Sequence, residues 1–205
     1  MKAPANETSV LEWGWAGRGL ETPSGDRHFV FAFPGGALVA LLDGLGHGEE
    51  AALASARAAP VLEQYASEPL IALVVRCHEA LRGTRGAAMS VASFVARESA
   101  LTWIGVGNVE AMLVRAKRRS DQRDQAICTR GGVVGYQLPP LRADRVAVAT
   151  GDTLVMATDG VRMPLVADVA LEHPPQEVAE SILAHFGKTD DDAHVVVARF
   201  HPEAG

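Results

Sequence analysis

"VALLDGLGHGEE" (residues 39–50) carries an apolar run suited to a buried strand, stops it on Asp43, and spends three glycines and a histidine before a helix starts near Glu49. A strand that only had to reach a helix would not need a carboxylate at its end followed by so pliant a loop. The rest of the chain has to supply the reason for that aspartate.

Outward from this stretch, apolar or β-branched runs recur at 28–33, 37–42, 88–96, 100–107, 109–116, 145–150, 153–158 and 194–200, and they read as strands. Tight punctuation such as "PGG", "RES", "GN" and "GD" separates several of them, which favours antiparallel hairpins over parallel crossovers. Helical spacing is clearest at 69–81, where Leu70, Leu73, Val74, Cys77 and Leu81 form one apolar stripe, with Ser67 as the expected N-cap and Gly83 as the stop. A helix from Glu49 towards Tyr65 is kinked or divided at Pro60, and another covers 176–186. Helices grouped in the middle and again near the end, among many hairpin strands, predict a layered α/β sandwich (α+β) of mainly antiparallel sheet. Trp13, Trp15 and Trp103 read as core or edge residues of the sheets.

The chain has 205 residues, a length that fits one domain, and 48% hydrophobic against 21% charged residues describes a globular protein with a sizeable core. A formal net charge of −6, with one basic run at 115–123 interrupted by Asp121, recommends no nucleic-acid partner and reads as a solvated loop. Two cysteines, Cys77 and Cys128, lack metal-ligand spacing, and Cys77 sits in the apolar helical stripe as a small buried hydrophobe. No secretory signal and no apolar run of about 20 residues is present, so a cytoplasmic location away from the membrane is expected.

Asp43 is not alone. Asp26 precedes a strand in "SGDRHF", Asp159 ends one in "MATDGV", and Asp191 and Asp192 precede the last in "TDDDAHVVVARF". Should these termini share one edge, two such charges about 4 Å apart repel by roughly 4 kcal/mol at an effective dielectric of 20, and a cation relieves that cost. Oxygen ligands alone suit Mg²⁺ or Mn²⁺ rather than zinc. Asp beside Gly is also ordinary turn chemistry, so from the residues by themselves turn and ligand both remain open.

As an ordered set, "SGD", "VALLDGLGHG", "GVGNVEAML", "GGVVG", "MATDGV" and "TDDDAHVVVARF" resemble the motifs of the PPM, or PP2C-like, metal-dependent Ser/Thr protein phosphatases, and most of all their compact SpoIIE-type bacterial branch. The segment "YASEPL…RCHEALRGTRGAAMSV" is similar to members that act on stressosome proteins. The resemblance runs from about Ser24 to Phe200. It implies an αββα sandwich of two antiparallel sheets flanked by helices, holding two Mn²⁺ or Mg²⁺ ions, with a third left open. It further implies that Asp43 bridges the ions, that Gly44 offers its carbonyl, that Asp159 and Asp191 complete the set, and that Asp26 acts directly or through a water. Three consecutive aspartates leave the register among Asp190, Asp191 and Asp192 open. A histidine near this place in larger relatives makes His47 a candidate general acid, although its spacing from Asp43 is longer here. His194 stands where the family usually has Thr or Ser, Asn108 reads as supportive, and Arg18, Arg27 and Arg85 are unranked candidates for holding phosphate.

The implied activity is hydrolysis of phosphoserine or phosphothreonine on phosphorylated stressosome scaffold proteins, by a monomer, with loops 163–175 and 115–125 as contact regions. Two alternatives use the same fold: a catalytically weak phosphoprotein-binding module, and a domain that metal merely stabilises.

Overall fold

The computed structural model describes residues 6–20, 22–117, 124–162 and 170–202. The strands are β1 (Asn6–Glu7), β2 (Leu11–Arg18), β3 (Arg27–Phe33), β4 (Gly36–Gly44), β5 (Ala87–Val95), β6 (Ala100–Val106), β7 (Glu110–Val114), β8 (Gln125–Ala126), β9 (Asp144–Ala147), β10 (Thr153–Ala157) and β11 (Ala193–Phe200). The helices are α1 (Gly48–Gln64), α2 (Leu70–Leu81) and α3 (Pro175–Phe186). One sheet has the order β1-β2-β11-β10-β7-β8 and the other β3-β4-β5-β6-β9, and every pairing between these strands is antiparallel.

Strand alternation sorts the apolar side chains into three cores. Val39 and Leu41 of β4, Leu154 and Met156 of β10, and Val196, Ala198 and Phe200 of β11 meet between the sheets. The opposite parity of β4, Leu38, Ala40 and Leu42, packs under α1 and α2 with Leu62, Leu73 and Cys77. Val155, Val195 and Val197 pack under Val178 and Ile182 of α3. The expected αββα sandwich is therefore the observed one, and Cys77 is a fully buried thiol that burial pushes up to about 12.

Several local expectations need correction. Helix α1 runs through Pro60 undivided, and α2 is capped by Pro69, not Ser67, with no side-chain cap bond. β2 was not among the expected strands, yet it pairs along its whole length with β11 from Leu11↔Phe200 to Arg18↔Ala193. Its Gly14 is required by packing: a Cβ there would stand 2.3 Å from the backbone nitrogen of Gln176 in the first turn of α3. Arg115, at the head of the basic run, is buried and bonds Asp152 at 2.7 Å instead of lying in solvent. Of the two expected contact loops, residues 118–123 and 163–169 lie outside the described residues.

Candidate metal centre

The inter-sheet core continues directly into a cluster of acids. Past Val39 and Leu41, the same parity of β4 delivers Asp43; ahead of Val30 and His28 in β3 it delivers Asp26; ahead of Val196 and His194 in β11 it delivers Asp192; past Leu154 and Met156 in β10 it delivers Thr158. Register completes the juxtaposition, because Arg27 pairs with Leu42 and Ala157 with Val195, so Asp26 comes beside Asp43 and Thr158 beside His194. A cavity of about 360 Å³ at this end is lined by Asp26, Asp43, Gly44, His47, Asp159, Asp191 and Asp192 among others. All six of the expected site residues thus border one space, from four separate strand ends.

Among the described residues, no lysine or arginine lines this space. Burial, and then the charge of Asp43, push the Asp26 carboxyl up to about 8, with Asp192 and Asp159 adding to the rise and a hydrogen bond from Thr158 opposing it. Burial, and then Asp159, push Asp43 up to about 6, with Asn108 opposing and Asp191 and Asp192 adding. Carboxylates that raise one another's pKa in this way form a donor set waiting for a hard cation. Among the described residues, no three Asp, Glu, His or Cys side chains close on a single point. An open basin of this kind fits ions that keep several waters and take few protein ligands, as Mg²⁺ does, and does not fit a tight zinc shell.

The surrounding hydrogen bonds distribute the aspartates. Asn108 donates from Nδ2 to Asp159 Oδ2 at 2.7 Å. Both oxygens of Asp192 are engaged: Oδ1 accepts from the Leu20 N–H at 2.6 Å and Oδ2 from the Ser24 hydroxyl at 2.6 Å. Asp192 thereby ties Leu20 and Ser24 to the start of β11 and leaves Asp191 the freer of the pair. Thr158, only 1% exposed, accepts the His194 N–H at 2.9 Å and donates to Asp26 Oδ2 at 2.7 Å. Sequence reading missed Thr158, Ser24 and the Leu20 amide; for Thr158 the parity of β10 was an available signal.

Gly44 is held where α1 begins. A Cβ on it would sit 2.1 Å from the Ala51 carbonyl oxygen, so only glycine lets the first turns of the helix close over this end of β4. His47 is the exposed N-cap residue of α1 and stands on the lip of the cavity. The ring of His194 turns away from the acids: Nε2 lies 2.8 Å from His28 Nδ1, and the ring stacks on Trp15 with 5.2 Å between centroids. Burial holds both imidazoles far below the usual histidine range, His28 at about 4 and His194, with His28 as a further cause, at about 3. Of the candidate arginines, Arg85 pairs with Glu50 at 3.0 Å, Arg18 donates to the Lys188 carbonyl, and Arg27 is exposed.

Comparison with known proteins places these features in a group. The family model described as Stage II sporulation protein E (SpoIIE) matches residues 34–201. The phosphoserine phosphatase RsbX of Bacillus subtilis (strain 168) is 24% identical over 176 residues, covering 85% of this chain and 86% of that protein. A crystal structure of RsbX in complex with magnesium superposes with a TM-score of 0.83 at 21% identity, covering 97% of this chain and 99% of that one. A chain from a structure of the bacterial stressosome, described as a modular system adapted to control secondary messenger signaling, gives a TM-score of 0.83 at 29% identity, over 92% and 99% of the two chains.

Proposed function

Because the chain belongs to the SpoIIE family, whose model spans residues 34–201, we propose that it is a single-domain, metal-dependent protein-serine/threonine phosphatase acting in the cytoplasm. The observation that carries this reading is the convergence of Asp26, Asp43, Asp159, Asp191 and Asp192 on one cavity, with Asp26 and Asp43 raised by burial and then by their neighbours' charge. Two Mn²⁺ or Mg²⁺ ions are the cations proposed for it, and when bound such ions polarise a phosphoryl group and activate water for hydrolysis without a protein nucleophile.

The residues divide the work around those ions. Asp43, which feels the charge of Asp159 and in turn raises Asp26, is the proposed shared ligand, and the Gly44 carbonyl, Asp159 and Asp191 would complete the set. Asn108 orients Asp159, and Thr158 orients Asp26. Asp192, with both oxygens already bonded, is assigned to holding the loop. His47, which lines the cavity, is the proposed donor of a proton to the departing serine oxygen. Phosphoserine on stressosome scaffold proteins is the proposed substrate, supported by likeness to a phosphoserine phosphatase and to a chain of a stressosome structure.

Phosphate release from phosphoserine scaffold proteins should require Mg²⁺ or Mn²⁺, stop on chelation, and fall by about 100-fold or more in Asp43→Asn. Turnover that survives chelation, or an Asp43→Asn enzyme as fast as the parent, sinks the mechanism. Tight binding of the phosphorylated partner with no turnover at any metal concentration supports a binding module instead.

A further inference from the structure

A second cavity, of about 370 Å³, lies on the far side of Asp26 from the acidic one. The two share that residue as a wall, and neighbouring residues divide between them: Gly19 and Ser24 face the second space while Leu20 and Gly25 face the first. Its chemistry is the reverse of its neighbour's. Trp15, His28 and His194 form a floor, with Trp15 and His194 parallel to within 3° and Trp15 still 40% exposed. Arg18 and Arg27 stand at the mouth, and Asp26 is the one carboxylate among the lining residues.

The two guanidiniums differ in what holds them. Arg18 is fixed by its donation to the Lys188 carbonyl, which uses one of its five N–H groups and leaves the rest to a ligand. Arg27 lies in β3 directly after Asp26 and extends into solvent. Asp26 itself is turned towards Thr158 and the other aspartates, so it does not neutralise the arginines as a direct ion-pair partner. The space equals about a dozen waters at roughly 30 Å³ each, enough for one side chain and its adjoining backbone.

We propose that this cavity is a subsite for an acidic side chain next to the phosphoserine, with its carboxylate on Arg18 and Arg27 and its stem on Trp15. The inference rests on the phosphatase reading and deepens it. Electrostatics sorts the two negative groups of such a peptide: the acidic basin repels a carboxylate, and the cationic mouth one wall away accepts it in charge-assisted bonds. A neutral or basic flanking residue gains nothing from the two arginines.

The test compares kcat/KM of the full chain with Mg²⁺ on phosphoserine peptides that differ only in carrying Glu, Gln or Lys beside the phosphoserine. p-Nitrophenyl phosphate, which has no flanking residues, serves as the reference substrate. The parent should prefer Glu over Gln by about three- to tenfold. Arg27→Gln should lower that preference by at least half, Arg27→Glu should abolish it, and Arg27→Lys should keep most of it. A Glu-to-Gln ratio of one in the parent, or the same ratio in parent and Arg27→Gln, overturns the subsite while leaving p-nitrophenyl phosphate hydrolysis, and so the phosphatase reading, intact. Absence of metal-dependent turnover on every substrate overturns both.

Discussion

Thr158 does two jobs with one hydroxyl, accepting the buried His194 N–H and donating to Asp26. Replacing it by alanine leaves a buried amide unpaired and a buried carboxylate without its donor, at a cost of about 1–3 kcal/mol. Thr158→Ala should therefore lower the urea midpoint and weaken Mg²⁺ binding in a calorimetric titration, and Thr158→Ser should restore most of both; equal behaviour of the two variants would show that the hydroxyl is not the agent. At this scale the sequence was most legible where a residue's type carries its chemistry. Asp26, Asp43, Asp159 and Asp191 stood out as acids at the ends of apolar strands, and the resemblance of their motifs in order, rather than any one residue, made them ligand candidates. Thr158 did not stand out, since a threonine after an apolar strand looks like more strand, and only the adjacency of β10 and β11 gives its hydroxyl two partners.

Helix α3 reaches the sheet through a glycine. The Pro175 and Gln176 backbone lies where a side chain on Gly14 would be, and the Gln176 amide forks onto the Trp15 backbone, accepting its N–H at 3.2 Å and donating to its carbonyl at 2.9 Å. Gly14→Ala should push α3 away and cost about 1–3 kcal/mol, measured by chemical denaturation with the slope unchanged. A variant as stable as the parent would mean that the helix shifts freely. The same glycine explains why β2 escaped the sequence reading. Leu11, Trp13 and Trp15 do alternate, but Gly14 among them and Gly17 just beyond look like loop punctuation until the helix that needs the gap at Gly14, some 160 residues on, is in place. Strands joined by short turns, such as β5 and β6, were legible because partner and turn lie within one window of sequence.

For the whole molecule, the acid basin and the histidine pair tilt stability in opposite directions with pH. Asp26 and Asp43, raised to about 8 and about 6 from 3.8, stay protonated in the folded state where the unfolded chain has lost the proton. Their contribution is fully present below pH 3.8 and is lost as the pH rises through 6 and then 8. His28 and His194, lowered to about 4 and about 3 from 6.5, contribute above pH 6.5 and lose that contribution as the pH falls. Between pH 6.5 and 8 Asp26 is the carboxylate still losing its contribution, and stability of the metal-free protein should fall by up to about 2 kcal/mol. Melting in chelator across this window should show Tm dropping by a few degrees, at about 2–4 °C per kcal/mol, and Mg²⁺ should flatten the trend by compensating the same charge. A metal-free Tm that is constant or rises would remove the evidence that these acids crowd one another.

In the larger sheet, β11 lies between β2 and β10, although it is the last of these strands along the polypeptide. During synthesis a nascent chain that has not yet emitted this strand holds two bare edges apart and lacks two of the acids of the proposed site, so it is sticky and its acidic cluster is incomplete. Completion of the proposed metal site thus coincides with the closing of the sheet between β2 and β10.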